Sequence, residues 1–321
     1  MENETHLEVI PCAICREVTP IRELASVGMF GWPTHVSICK QCGLVYLSPR
    51  WTRERYNQYY TKEYEGDFRE DREKSEETEQ RKIRQAWPRI APHLPENPSA
   101  VLDIGCGLGW ALDYAAQQIE GVHIAGIESS EASIAHLKQE IGAEFIHSDL
   151  DSDWHLDHQG SFDLVIMRMV AEHLLDPVAA FKKVRSVLSE DGIFYIAVPD
   201  MFHPDGSLSE FWYRVVHTYY YSKPTLTRIL NLAGLEPVVI KEQEFELWAV
   251  VRRRDSFEDS RLPSVYDHQL KVLRRYKFRR ALRGFLRLFS PRKLIEKMPE
   301  GVKNLIPDSL KERFRRLVYR H

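Results

Sequence analysis

Residues 101–110 read VLDIGCGLGW. A short apolar run ends in an acid, Asp103, and Gly105, Gly107 and Gly109 follow at alternate positions. Such a run, bounded by glycines, predicts a buried strand that turns tightly into a helix. Glycine admits positive φ and lets a ligand approach the main chain. The helix behind it offers unpaired N–H groups. The spacing G-C-G-L-G is shorter than the G-x-G-x-x-G of a dinucleotide turn. Cys106, inside the loop, reads as a small packed residue rather than a nucleophile.

Outward from this turn, residues 99–252 alternate short apolar runs with helical patterns. The strand candidates are AVLDI, HIAGIE, AEFIHS, FDLVIMR, GIFYIAV, EPVVIKE and FELWAVVRR. Helical stretches such as GWALDYAAQQI and SEASIAHLKQEI lie between most of them. Alternation of this kind predicts an α/β fold, a largely parallel sheet with helices on both faces. The last two strands follow each other without a helix, which predicts an antiparallel hairpin at the sheet edge. Two further acids close strands. Glu128 in AGIESS is placed to take two ribose hydroxyls, and Asp149 in HSDL, next to Leu150, to reach an adenine amino group.

These residues carry a resemblance. Asp103-Ile-Gly-Cys-Gly-Leu-Gly109, Glu128, Asp149 and FDLVIMRMVAEHLLDP, in this order, are similar to a class I S-adenosylmethionine-dependent methyltransferase. The resemblance covers about half of the chain. It implies a Rossmann-like seven-stranded sheet with its last strand antiparallel. It also implies that the glycine loop carries the methionine part of S-adenosylmethionine, Glu128 the ribose, and Asp149 with Leu150 the adenine.

Cys12/Cys15 and Cys39/Cys42 form two CxxC pairs separated by 23 residues. In a reducing compartment, pairs at this spacing are read as metal ligands rather than disulfides. Four thiolates leave no open position for water, so the expected metal is a structural Zn²⁺ that folds a module with little core of its own. The segment CAIC…CKQCGLVYLSPRWTRERYNQYYTKEY also resembles the N-terminal zinc-binding part of bacterial methyltransferases that act on sugar nucleotides and surface glycans. That resemblance implies that the tyrosine-rich stretch, with Tyr59, Tyr60 and Tyr64, folds over cofactor and substrate. Packing on a helix face is the competing role.

Two histidines compete as general base. His173, with Glu172, lies in AEHLLDP just past the fourth strand; the pair either acts on the acceptor or caps and orients its loop. In quinone-type relatives a further acid three positions before the Glu completes a metal site, but Met169 stands there. His217 lies in RVVHTYYYSKPTLTRILNLAGL, ahead of a helix opened by Ser222 and Pro224. This stretch resembles the His-x-x-Tyr-Phe-Ser pattern of sugar C-methyltransferases, in which the histidine is a base. That family's second histidine and acid fall on Val215 and Val216, and its large C-terminal domain is missing, so O-methylation is expected instead. Loop packing is the alternative for His217.

Hydrophobic content of 43% and charged content of 28% describe a globular chain. No run reaches the length of a transmembrane helix. The acidic start MENETHLEVIPC lacks a signal-peptide layout, so a cytoplasmic location is expected. The net charge of -3 hides an asymmetry: residues 270–321 hold 17 Lys/Arg and 4 Asp/Glu, a net of 17 - 4 = +13, against -3 - 13 = -16 for the rest. Leu270, Leu273, Phe278, Leu282, Phe285 and Phe289 recur there at helical spacing. A basic amphipathic helix fits an anionic membrane surface, and equally a helix packed on the acidic body. The expected organisation is a zinc-binding module (1–50), a helical linker or lid (51–98) with REDREKSEETEQRKIRQ as an exposed helix ended by Pro88, a methyltransferase domain (99–252) and the tail (253–321).

The expected activity is O-methylation of a sugar, nucleotide-bound, lipid-linked or in a surface glycan, with peripheral attachment at the inner membrane face as one reading of the tail. An RNA methyltransferase is the alternative, disfavoured because the cysteine module lacks a basic-aromatic stripe. A non-catalytic cofactor-binding module is a third reading.

Overall fold

The computed structural model describes residues 6–62, 76–147, 149–254 and 263–288. The opening stretch forms β6 (Ala100–Ile104), with all five residues buried, as a strand covered on both faces requires. The preceding chain supplies β1 (Leu7–Glu8), β2 (Ile21–Val27), β3 (Pro33–Cys39), β4 (Val45–Leu47), β5 (Arg50–Trp51), α1 (Arg53–Lys62) and α2 (Glu76–Ile90). Following β6 are α3 (Trp110–Gln118), β7 (His123–Ile127), α4 (Glu131–His136), β8 (Glu144–His147), β9 (Phe162–Arg168), α5 (Pro177–Val187), β10 (Leu188–Pro199), β11 (Tyr219–Tyr220), α6 (Lys223–Leu232), β12 (Leu235–Gln243), β13 (Glu246–Arg253) and α7 (Tyr266–Leu288).

Seven strands make one sheet in the order β12-β13-β10-β9-β6-β7-β8. Pairings from β10 through β8 are parallel, and β13 runs antiparallel to both β10 and β12. The expected terminal hairpin is therefore present, with β13 inside it and β12 at the edge. Apolar side chains pack on both faces: Leu102, Val165, Phe194 and Ile196 on one, Val101, Leu164, Ile166 and Tyr195 on the other. Strand order reverses between β6 and β9, and the crevice beyond their carboxyl ends is where an open α/β sheet receives a ligand.

The cysteine module is not closed on itself. Its sheet has the order β11-β4-β3-β2, so two residues from beyond position 200 complete it, with Tyr219 opposite Tyr46 and Tyr220 opposite Val45. Near residue 265 the chain returns to the second cysteine turn, where Val265 N donates to Cys42 O at 3.1 Å. The chain divides into two units at Gln269/Leu270.

One expectation is corrected. Pro88 does not end α2, which continues to Ile90. Pro88 has no N–H to donate to Arg84 O, so the helix carries one missing ladder bond and runs on for two residues. Of the expected exposed helix REDREKSEETEQRKIRQ, residues 69–75 lie outside the described residues and none of 77–85 is buried; α2 then buries Ala86, Trp87 and Ile90, and Trp87 meets Tyr114 edge-on at 5.7 Å. Within α7, Phe278 and Leu282 are exposed one turn apart among Arg and Lys. The side chain of Phe285, and Phe289 entirely, lie outside the described residues, as does Tyr64. Among the described residues no helix is long and apolar enough to cross a membrane.

Candidate active site

The glycine turn is built as its sequence predicts. Gly105, Gly107 and Gly109 all have positive φ (71°, 54° and 79°). A Cβ on Gly105 would lie 2.4 Å from Val170 Cγ2, so this position has neither the conformation nor the room for a side chain. A Cβ on Gly107 would meet nothing within 4 Å, because that residue faces the open crevice. Gly107 N donates to Glu128 Oε2 at 2.8 Å, while Ser129 N and Ser130 N donate to Glu128 Oε1 at 2.8 and 2.9 Å. Glu128 is thereby locked at the end of β7, its remaining lone pairs turned to a cavity of about 680 Å³. Asp149 is exposed on the loop after β8, accepts from Asp151 N, and lines neither this cavity nor the smaller one beside it. Leu150 is half-buried, and its carbonyl accepts from Lys183 Nζ.

Asp103 and Arg168 end the neighbouring strands β6 and β9. They line a second cavity of about 240 Å³ that shares Gly105, Gly107 and Glu79 with the first. Burial pushes the Asp103 carboxyl up to about 8, with the Arg168 guanidinium pulling the other way. Burial also pushes the Cys106 thiol up, in keeping with a packed rather than reactive cysteine.

The larger cavity extends to Glu172, His173 and His217, which come together from two loops. One ligand-type atom of each lies within 4.8 Å of the others. The imidazoles meet edge to face, with centroids 4.9 Å apart. Val216 O can only accept, so its 3.0 Å contact with His173 Nδ1 puts the proton on that nitrogen; Tyr60 Oη is also 3.0 Å away. His173 Nε2 is left with a lone pair, 4.0 Å from Glu172 Oε1. Burial pulls His173 down to about 4 and His217 well below the usual histidine range, and pushes Glu172 up to about 8. All three are therefore uncharged at pH 7. Glu172 Oε2 is buried without a hydrogen-bond partner among the described residues. Met169, immediately after β9, holds φ +56° and lines the same cavity. Strain of this kind collects at functional loops.

The N-terminal residues hold this cluster from behind. Tyr56 Oη donates to Val215 O (2.9 Å) and Arg50 Nη1 to Leu175 O (2.8 Å). The expected tyrosine lid divides. Tyr60 reaches the cavity, whereas Tyr59 packs among Trp32 and Trp51.

The sulfurs of Cys12, Cys15, Cys39 and Cys42 lie within 4.8 Å of one another, with Cys12 and Cys42 at 3.6 Å. Tetrahedral zinc with bonds of about 2.3 Å needs sulfurs roughly 3.8 Å apart, so the donor set fits. Hydrogen bonds among the sulfurs push Cys12 up and hold Cys39 down at about 2, the pattern of crowded thiols that share protons.

Arg168, Glu79 and Lys82 were not anticipated from sequence. The available signal was an arginine closing the apolar run LVIM of the strand FDLVIMR, where a buried charge needs a partner.

A family model described as a methyltransferase domain matches residues 75–240. A probable S-adenosylmethionine-dependent methyltransferase of Mycolicibacterium smegmatis is 29% identical over 140 residues, 42% of this chain and 51% of that protein. A probable (S)-tetrahydroprotoberberine N-methyltransferase 2 of Papaver bracteatum is 27% identical over 99 residues, 30% of this chain and 28% of that one. The matches thus span about a quarter to a half of these relatives. The crystal structure of Burkholderia thailandensis 1,6-didemethyltoxoflavin-N1-methyltransferase, with S-adenosylhomocysteine bound, superposes with a TM-score of 0.51 at 20% identity, covering 66% of this chain and 96% of that one.

Proposed function

This chain belongs to the methyltransferase-domain family, and on that premise we propose that it transfers the methyl group of S-adenosylmethionine to a sugar hydroxyl, nucleotide-bound, lipid-linked or in a surface glycan. One observation carries the reading. The glycine turn with Glu128, and the uncharged cluster Glu172–His173–His217, face each other across one cavity of about 680 Å³. The first half suits a nucleoside with an amino-acid tail. The second offers lone pairs to a proton on an incoming acceptor.

The sulfonium methyl group is already activated. The protein must align the acceptor oxygen behind it, and alignment of this kind supplies roughly 7–11 kcal/mol. His217 takes the hydroxyl proton as the oxygen attacks. His173, its Nδ1–H fixed by Val216 O, orients the His217 ring, and Glu172 holds the loop. Both imidazoles are neutral, so they receive a proton without prior titration. The sugar part of the reading is supported by the cysteine segment and the His217 stretch, which resemble those of sugar-acting methyltransferases.

Zinc on the four cysteines belongs to the same proposal. It would fix β3, β4 and, through β4, the β11 segment two residues beyond His217. The basic α7, with Phe278 and Leu282 exposed, is proposed to rest on an anionic membrane surface.

The test is transfer of labelled methyl from S-adenosylmethionine to a panel of sugar nucleotides and extracted glycans. Label in an alkali-stable methyl ether is expected. Label on nitrogen, or only on RNA, would overturn the sugar reading.

A further inference from the structure

Arg168 is nearly buried, yet the only acid it meets among the described residues is Glu79, one turn into α2. Both Nη1 and Nη2 donate to the single oxygen Glu79 Oε2, at 3.1 and 2.9 Å. The other oxygen, Oε1, takes Lys82 Nζ at 2.6 Å. Two cations thus share one carboxylate, and the guanidinium fork is not matched by two oxygens side by side, the arrangement in which it binds most strongly. Beside it Asp103 is 5% exposed and is kept protonated at pH 7 by burial, so it does not neutralise the guanidinium. A guanidinium short of a second oxygen therefore faces the cavity at the glycine turn. Its fork is the complement of an α-carboxylate.

We propose that Arg168 receives the α-carboxylate of the cofactor's amino-acid end, and that Glu79 is its intramolecular competitor, holding the site until the cofactor arrives. This inference rests on the S-adenosylmethionine reading above and adds the residues that read its amino-acid end.

The placement of α2 gives the exchange a consequence. The far end of the helix is pinned by Arg89, which donates to Glu246 Oε1 (2.6 Å) and Gln243 Oε1 (3.0 Å) and stacks over Trp248. Its near end is tied to the sheet through Glu79. Displacement of Glu79 by the cofactor therefore releases the near end and leaves the far end fixed. The loosened end carries Lys82, which lines the larger cavity. Cofactor occupancy is thereby transmitted to the rim through which the acceptor passes.

The experiment compares two ligands that share adenosine and sulfur. S-adenosylhomocysteine has the amino-acid end; 5′-methylthioadenosine lacks it. Binding of each is measured by calorimetry on the full-length, zinc-loaded wild type, Arg168→Gln, Arg168→Lys and Glu79→Gln. Arg168→Gln is expected to weaken S-adenosylhomocysteine at least ~10-fold and leave 5′-methylthioadenosine within about twofold. Arg168→Lys should recover part of the loss. Glu79→Gln, which removes the competitor without touching the receptor, is expected to tighten S-adenosylhomocysteine severalfold and leave the truncated ligand alone. Equal weakening of both ligands by Arg168→Gln, or of neither, overturns the receptor role. Unchanged affinity in Glu79→Gln overturns the competitor role. A wild type that binds neither ligand refutes the cofactor reading and this inference with it, whereas a wild type that binds both equally refutes this inference alone.

Discussion

The two halves of the cleft are made differently. The cofactor half is local: Asp103, Gly105, Gly107 and Glu128 lie within 26 positions, on two adjacent parallel strands and the turns that leave them. The acceptor half gathers Tyr60, Glu172, His173 and His217 from three segments, the first more than 100 residues from the other two, and braces them with Arg50, Tyr56 and β11. A site built on one turn is fixed by spacing. A site assembled from remote loops depends on the whole N-terminal module staying folded.

The comparison is broken most severely by removing metal. Stripping zinc with a chelator withdraws a contribution on the order of 10–16 kcal/mol from the cysteine module and should abolish methyl transfer. S-adenosylhomocysteine binding should persist, because the seven-stranded sheet does not contain the cysteines. Transfer by a protein shown to contain no zinc would contradict the bracing of the acceptor half. His217→Ala comes next. Turnover should fall ~10²–10⁴-fold with cofactor affinity unchanged; undiminished turnover removes His217 as base.

A smaller effect sharpens the electrostatics. Burial keeps Glu172 protonated up to about pH 8, whereas the unfolded residue ionises near 4.5. The folded pKa is the higher one, so the unfolded state binds fewer protons between these values. The associated stability is complete below about pH 4.5 and is lost as pH rises through 8. Asp103 acts in the same direction from 3.8 to about 8. His173, held down at about 4 from 6.5, acts oppositely: its share is present above pH 6.5 and lost as pH falls through 4. Glu172→Gln should therefore reduce the drop in thermal midpoint between pH 6 and 8 by about 2–4 °C. Parallel curves would show that Glu172 is ionised in the folded protein. The smallest effect is at the tail. Removing residues 270–321 should abolish pelleting with anionic vesicles and leave transfer to a soluble acceptor unchanged. Vesicle binding by the truncated chain would remove the tail as the membrane contact.

Legibility in the sequence followed the same divide. The strand order and glycine turn were readable because each motif follows its own strand at a short, fixed distance. The Cys12/Cys15 and Cys39/Cys42 grouping was readable because each pair sits on one turn. His217 and His173 were separately visible, but their edge-to-face contact depends on β11 pairing with β4, which no local pattern encodes. Arg168 and Glu79 were missed because an ion pair between a strand end and a helix 89 residues earlier leaves no periodic trace. Asp149 was placed at the adenine from its position after a strand; its Oδ1 accepts from Asp151 N, a local turn that a short acid forms readily. Pro88 does not end its helix: it removes one donor from the ladder, and Trp87 and Ile90 on either side of it are buried.

The central claim is that one cleft holds separable cofactor and acceptor halves. It is tested most directly by calorimetry of S-adenosylhomocysteine with the zinc-loaded wild type, Glu128→Ala and His217→Ala. The account predicts one ligand per chain, at least ~10-fold weaker binding in Glu128→Ala, which loses a charged acceptor of hydrogen bonds, and unchanged affinity in His217→Ala. No binding to the folded wild type, or equal losses in the two variants, would contradict it.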